Sequence, residues 1–118
     1  MRHGNHKYLL GVDRAHRKSM MRNLSVSLIE HGKIKTTHAK AKAVRIFVEK
    51  LVTTAKVDTV ENRRLVFSKL NSKIATKSLF DVVAPKFTTR PGGYTRIIKL
   101  AGLRVGDAST QCYISFVE

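Results

Sequence analysis

The chain has one cysteine, no tryptophan, two prolines and only eight acidic residues among its 118. A lone thiol, Cys112, excludes an internal disulfide framework and leaves any cysteine and histidine zinc site short of ligands. A reducing compartment, the cytosol, is therefore the natural setting. The five histidines (His3, His6, His16, His31 and His38) show no metal spacing such as H-E-x-x-H, and few carboxylates are present to orient them. No Walker loop or dinucleotide fingerprint occurs. Catalysis would have to be built from residues the chain barely supplies, and no cofactor, metal ion or small-molecule substrate is expected. No apolar run approaches the roughly 18 to 20 residues of a membrane span, and Met1 to Gly11 is interrupted by His and Lys. No membrane association is expected.

What the chain has in excess is positive charge. Twenty-three Lys and Arg residues against the eight acids give a formal net charge of +15, and the cations run from Arg2 to Arg104. A field that strong repels itself unless a polyanion neutralises it, and nucleic acid is the first candidate. The 42% of hydrophobic residues suffice for the core of one small domain.

Residues 1–12 mix basic residues with glycines and show no helical period, so they read as an extended basic arm ahead of a single domain over 13–118. Asp13 is the expected N-cap of a first helix. On it Met20, Leu24 and Leu28 form an apolar stripe, Arg14, Lys18 and Arg22 a cationic one, and Gly32 is the stop. Lys33 to Thr37 is a short strand. Ala41, Val44, Val48, Leu51 and Ala55 line one face of a second helix. Thr59 caps a third helix with Glu61 in its first turn, and Asn71 and Ser72 break the pattern. Ile74, Ala75, Leu79, Val82 and Val83 are the apolar face expected for a fourth, which Pro85 ends. Alternation over Tyr94 to Leu100 and the β-branched and aromatic stretch Gln111 to Val117 predict two more strands. The fold class is thus α+β, about four helices packed on a small three-stranded mixed sheet.

Three places can carry binding. In the first helix His16, Arg17, Lys18, Arg22 and Asn23 offer donors suited to phosphate oxygens, and the arm adds Arg2, His3, Lys7 and Tyr8. A charge run is ordinarily a solvated helix face. Over residues 1–23, however, Arg2, Lys7, Arg14, Arg17, Lys18 and Arg22 face Asp13 alone, and that imbalance favours binding. The second place is the strand-to-helix junction with Lys33, Lys35, Thr36, Thr37, Lys40 and Lys42, where free N–H groups at a helix start attract anions and at least one threonine serves as a cap. The third is the loop Thr88 to Gly93, which presents Arg90 beside two glycines. Taken alone it reads as a tight turn. Cys112, inside a strand, reads as a buried and inert thiol.

In order and spacing these residues resemble the family of bacterial-type large-subunit ribosomal protein seventeen along nearly the whole chain. The likeness rests on the MRH start, His16-Arg17-Lys18, Met21-Arg22-Asn23-Leu24, Ser27-Leu28, Ile34-Lys35-Thr36-Thr37, Ala39-Lys40-Ala41-Lys42, Arg63-Arg64, Gly92-Gly93-Tyr94-Thr95-Arg96-Ile97 and Gly106-Asp107. It implies a non-catalytic protein of the cytoplasmic ribosome, an organellar one staying open, that binds large-subunit ribosomal RNA during assembly near the polypeptide exit, beside other large-subunit ribosomal proteins. Carried over by position, Arg2, His3, His16, Arg17, Lys18, Arg22, Asn23, Lys35, Thr36, Thr37, Lys40, Lys42, Arg90, Tyr94, Arg96 and Arg104 face RNA. Gly4, Val12, Asp13 and Val105 depart from the family pattern, and Arg104 is the charge kept in the loop Ala101 to Asp107. In this reading a splayed base stacks on Tyr8 or Tyr94, unless Tyr94 merely covers the sheet. The rival readings are a regulator that coats DNA and a domain docking an acidic protein; neither accounts for the ordered motifs.

Overall fold

A computed structural model describes residues 10–117. The arm residues Arg2, His3, Lys7 and Tyr8 lie outside them. The described chain opens on a turn, with Leu10 and Gly11 both at positive φ, that delivers Asp13 to the start of α1 (Arg14–His31). The Asp13 carboxylate accepts a hydrogen bond from the His16 amide at 2.8 Å, as an N-cap should. At the other end Gly32 adopts φ +78° and its N–H bonds the Leu28 carbonyl at 2.7 Å, a left-handed closure that a side chain would strain.

β1 (Lys33–Thr37) leads directly into α2 (His38–Ala55), with the Thr37 hydroxyl accepting from the Lys40 amide. The expected stripe of α2 is fully realised: Ala41, Val44, Val48, Leu51 and Ala55 are all buried, and Val52 joins them. On α1 the buried set is Met21, Ser25, Leu28 and Ile29, turned from the expected stripe, so that Met20 and Leu24 pack at its margin. Ser25 tolerates burial because its hydroxyl donates to the Met21 carbonyl at 2.7 Å.

α3 (Val60–Leu70) begins at Thr59, whose hydroxyl accepts from the Asn62 amide, and ends on left-handed Asn71. α4 (Lys73–Ser78) is short because the chain widens into a π-helical turn at Leu79–Val83 and then tightens into a 3₁₀ turn at Ala84–Phe87. The wide turn inserts a residue into the helical period. Consequently Ala75, Leu79, Phe80, Val83, Ala84 and Phe87 point inward, while Ile74 and Val82 are 71% and 55% exposed instead of forming the expected apolar face. Pro85 sits in the first turn of the 3₁₀ segment, where its missing N–H costs nothing, so the helical run continues past it to Phe87.

β2 (Thr95–Leu103) and β3 (Thr110–Phe116) complete the sheet in the order β1-β3-β2. Both pairings are antiparallel, which corrects the mixed sheet expected from sequence. β1 and β2 do run in the same direction, but β3 separates them, so no parallel ladder forms. The helices cover one face of this sheet, where Ile34, Ile97, Cys112, Ile114 and Phe116 meet the core. Fully burying one such side chain, as at Ile114, is worth about 1.5–3 kcal/mol. No helix among the described residues is long and apolar enough to cross a membrane.

Candidate nucleic-acid interface

The exposed side of α1 carries Arg14, His16, Lys18 and Asn23, while Arg17 and Arg22 are half-buried. Arg22 is already engaged: its Nε donates to the Lys69 carbonyl at 3.0 Å, placing a cation on the last turn of α3 where the dipole favours one. Arg17 Nη1 reaches the Val12 carbonyl at 3.4 Å. Between α1 and α2 lies a cleft of about 490 Å³ with an apolar floor of Met21, Ala43, Ile46, Phe47 and Leu51. Its rim is Arg14, Arg17, Lys18, Lys50 and Lys69, with no carboxylate among the lining residues. The cleft joins the α1 cations expected from sequence to Lys50 and Lys69, which come from α2 and α3.

At the β1–α2 junction Lys35 and Lys42 are exposed and Lys40 is half-buried. Thr37 is the α2 cap, and Thr36 points toward the core side, paired with buried Cys112. His38 opens α2 with a buried Nδ1 that has no hydrogen-bond partner. Partial burial, together with the Lys42 and Lys99 ammonium groups, holds its pKa below the ordinary imidazole value. A neutral ring suits the positive end of a helix dipole. Burial likewise pushes the Cys112 thiol up, which keeps it protonated and unreactive.

The sheet face away from the helices is the third basic surface. In register across it, Lys33 and Arg96 flank Ser115, and Lys35 and Ile98 flank Tyr113. Lys33 Nζ lies 4.3 Å from the Tyr113 ring centroid. Next to this face is a hollow of about 640 Å³, where His31, Lys33, Lys86 and Arg96 outnumber a single carboxylate, Glu30. Lys33, Lys86, Tyr113 and Ser115 are absent from the residue set carried over from the family. The readable signal was period two: in Gln111 to Phe116, Tyr113 shares parity with Gln111 and Ser115, not with Cys112, Ile114 and Phe116.

Other expected residues have structural occupations. Tyr94 is 1% exposed, its ring centroid 5.2 Å from that of Phe87, and the Thr53 hydroxyl donates to its oxygen at 3.2 Å. The adjacent Lys56 ammonium, then the Thr53 hydroxyl, hold the phenol pKa below its usual value. Lys56 also donates to the Arg90 carbonyl, and Arg90 Nε reaches the Gly92 carbonyl at 3.3 Å, with the Arg90 side chain exposed. Gly93 sits at φ +63°, the turn geometry that paired glycines serve. Arg104 is exposed but locked on Asp107, Nε to Oδ1 at 3.0 Å with a second bond from its other nitrogen, and the pairing holds the Asp107 carboxyl far below the usual carboxylate range.

Among the described residues the ion pairs are Arg45–Glu49, Arg63–Asp58, Arg63–Asp81 and Arg104–Asp107. Every carboxylate in those pairs lies outside the α1 face, the β1–α2 junction and the open sheet face. Arg14, Arg17, Lys18, Lys33, Lys35, Lys40, Lys42 and Arg96 have no acidic partner within 4 Å among these residues. The arrangement suits point-charge and forked donation to phosphate oxygens.

Comparison with known proteins agrees with this chemistry. The family profile described as Ribosomal protein L17 matches residues 20–117. "Large ribosomal subunit protein bL17" of Porphyromonas gingivalis is 52% identical over the whole chain, which covers 73% of that relative. The proteins of the same name from Bacteroides thetaiotaomicron and Flavobacterium johnsoniae are 49% and 52% identical, again over the whole chain and 72% of each relative. With its basic surfaces, its fold and nearly its full length accounted for, the chain belongs to the ribosomal protein L17 family.

Proposed function

We propose that this protein, a non-catalytic structural constituent of the large ribosomal subunit, works by clamping ribosomal RNA backbone with side chains that the fold holds in place. Residues 13–118 form the RNA-binding domain and residues 1–12 a basic arm that extends its reach. The α1 face, the rim of the α1–α2 cleft, the β1–α2 junction and the open sheet face supply phosphate ligands. Arg22 and Tyr94 act by holding helices and sheet in register. Assembly of the subunit near the polypeptide exit, beside other large-subunit proteins, is the setting, in the cytoplasm.

The observation that carries this reading is the separation of charge. Among the described residues four carboxylates are spent on three arginines, while three adjoining surfaces keep cations with no acidic partner within 4 Å. Such surfaces are favourable only against a polyanion, and RNA backbone is recognised by charge and shape rather than by sequence. Crosslinking of protein to RNA on intact large subunits, read by mass spectrometry, tests it. Attachment sites within residues 14–23, 33–42 and at Arg96 are expected. Attachment confined to the neighbourhood of Arg63 or Arg104, or no attachment, would refute it.

A further inference from the structure

We propose that the helix-free face of the sheet is a platform for unpaired RNA nucleotides, one base stacking on Tyr113 while Lys33, Lys35 and Arg96 hold the adjoining phosphates. The inference rests on the RNA-binding reading above and adds to it a strand state and a stacking residue.

Three observations converge on this face. The open face carries Lys33, Lys35 and Arg96, and the three strands contain not one Asp or Glu, so the charge of the face complements a phosphodiester chain. Tyr113 stands at its centre on the middle strand, half-buried, with Lys35 on one side and exposed Ile98 on the other. Lys33 and Arg96 lie on opposite flanks of Ser115, two strand spacings or about 10 Å apart, one residue pair along from the ring. The Lys33 ammonium at 4.3 Å shows that the ring receives a cation on its π surface. Replacing that exposed contact with a base frees Lys33 for a phosphate.

Base pairing decides the class of RNA. In a duplex the base faces are stacked on one another and closed to a side chain, whereas unpaired nucleotides can splay a base onto an aromatic ring. The α1 face and the β1–α2 junction carry no tyrosine, phenylalanine or tryptophan, so duplex and single strand are assigned to different parts of one molecule.

The test uses the full chain, with Tyr113→Leu to remove the π face and keep apolar bulk, and Tyr113→Phe to restore it. Affinities are measured for a ten-nucleotide single-stranded RNA and for an A-form RNA duplex. Tyr113→Leu should weaken single-strand binding about tenfold and leave duplex binding within about twofold, and Tyr113→Phe should bind like the unaltered protein. Equal losses on both RNAs, or unchanged single-strand affinity for Tyr113→Leu, would overturn the platform and leave phosphate binding elsewhere intact. Should the leucine variant fail to fold, the protein carrying both Tyr8→Phe and Tyr94→Phe keeps Tyr113 as its one tyrosine, and its fluorescence reports directly: quenching by the single strand is expected, and its absence would overturn the proposal. If the unaltered protein binds neither RNA, the underlying reading falls as well.

Discussion

Arg63 and Lys18 carry the same charge in opposite circumstances. Arg63 donates to Asp58 at 2.6 and 2.8 Å and to Asp81 at 3.1 Å, and its guanidinium lies 4.9 Å from the Phe80 ring centroid. Both carboxylates come from outside α3, one from the loop before it and one from the π-helical turn, so this cation ties three segments together. Lys18 stands exposed on the rim of the α1–α2 cleft, beside other cations and without an acidic partner among the described residues. One corner of the molecule uses charge to hold the fold, and the α1 face and the β1–α2 junction carry it without an acidic partner within 4 Å among the described residues. Net charge alone does not distinguish the two uses; the placement of a few carboxylates does.

The largest effect that sharpens this contrast belongs to the unmatched side. Replacing Arg14, Lys18, Lys33 and Lys42 together by alanine should lower affinity for large-subunit RNA on the order of 100-fold near physiological salt. The salt slope should fall by about one for each phosphate contact removed. Thermal melting of the free variant should match or exceed that of the parent, since removing exposed like charges relieves repulsion. A loss of melting temperature with RNA affinity preserved would invert the account.

Arg63→Ala should do the reverse: lower the melting temperature by a few degrees while the salt slope of RNA binding stays the same. Tyr94→Phe comes next. Loss of its hydroxyl contact with Thr53 should cost about 0.5–1.5 kcal/mol in chemical denaturation and leave RNA affinity unchanged. A selective loss of RNA binding in Tyr94→Phe would return that residue to the interface.

The smallest effects are titrations. The Arg63 hydrogen bonds lower the Asp58 pKa, so this pair stabilises the fold above the unfolded carboxylate value of about 4, and the benefit disappears as pH falls through the lower folded value. Asp58→Asn should therefore be less stable than the parent at neutral pH, and the difference should close in strong acid. His38 has its folded pKa depressed as well, which favours the neutral ring in the fold. Its contribution is present above the unfolded value of about 6.5 and fades as pH falls through the folded one. Its NMR titration in the free protein should have a midpoint below that of an exposed histidine, and phosphate bound beside the α2 start should move it upward. An unshifted midpoint in the free protein would contradict the partly buried, cation-flanked setting of that ring.

Much of the fold was legible because its signals are local. Asp13, Gly32, Thr37, Thr59 and Asn71 sit at helix ends for reasons of backbone hydrogen bonding that need no distant partner, and the α2 stripe obeys one unbroken helical period. The α1 stripe was misplaced because buried Ser25 hides in a hydrophobicity pattern, its hydroxyl satisfied by the preceding turn. Ile74 and Val82 were misplaced because a π-helical turn breaks the period from within, and strand direction was misjudged because sequence order does not reveal which strand lies in the middle. For the interface, the cationic clusters of α1 and of the β1–α2 junction could be read as clusters. What could not be read was which cations are already satisfied: Arg22 by a carbonyl of α3 and Arg104 by Asp107, three residues on in the same loop.

The central claim is that the unmatched cations of the α1–β1–α2 half neutralise RNA phosphates. The salt dependence of binding to large-subunit RNA tests it most directly. With about six to ten phosphates contacted, affinity should fall by roughly three to five orders of magnitude between about 50 and 200 mM salt, taking duplex DNA as the guide. A nearly flat response would contradict it.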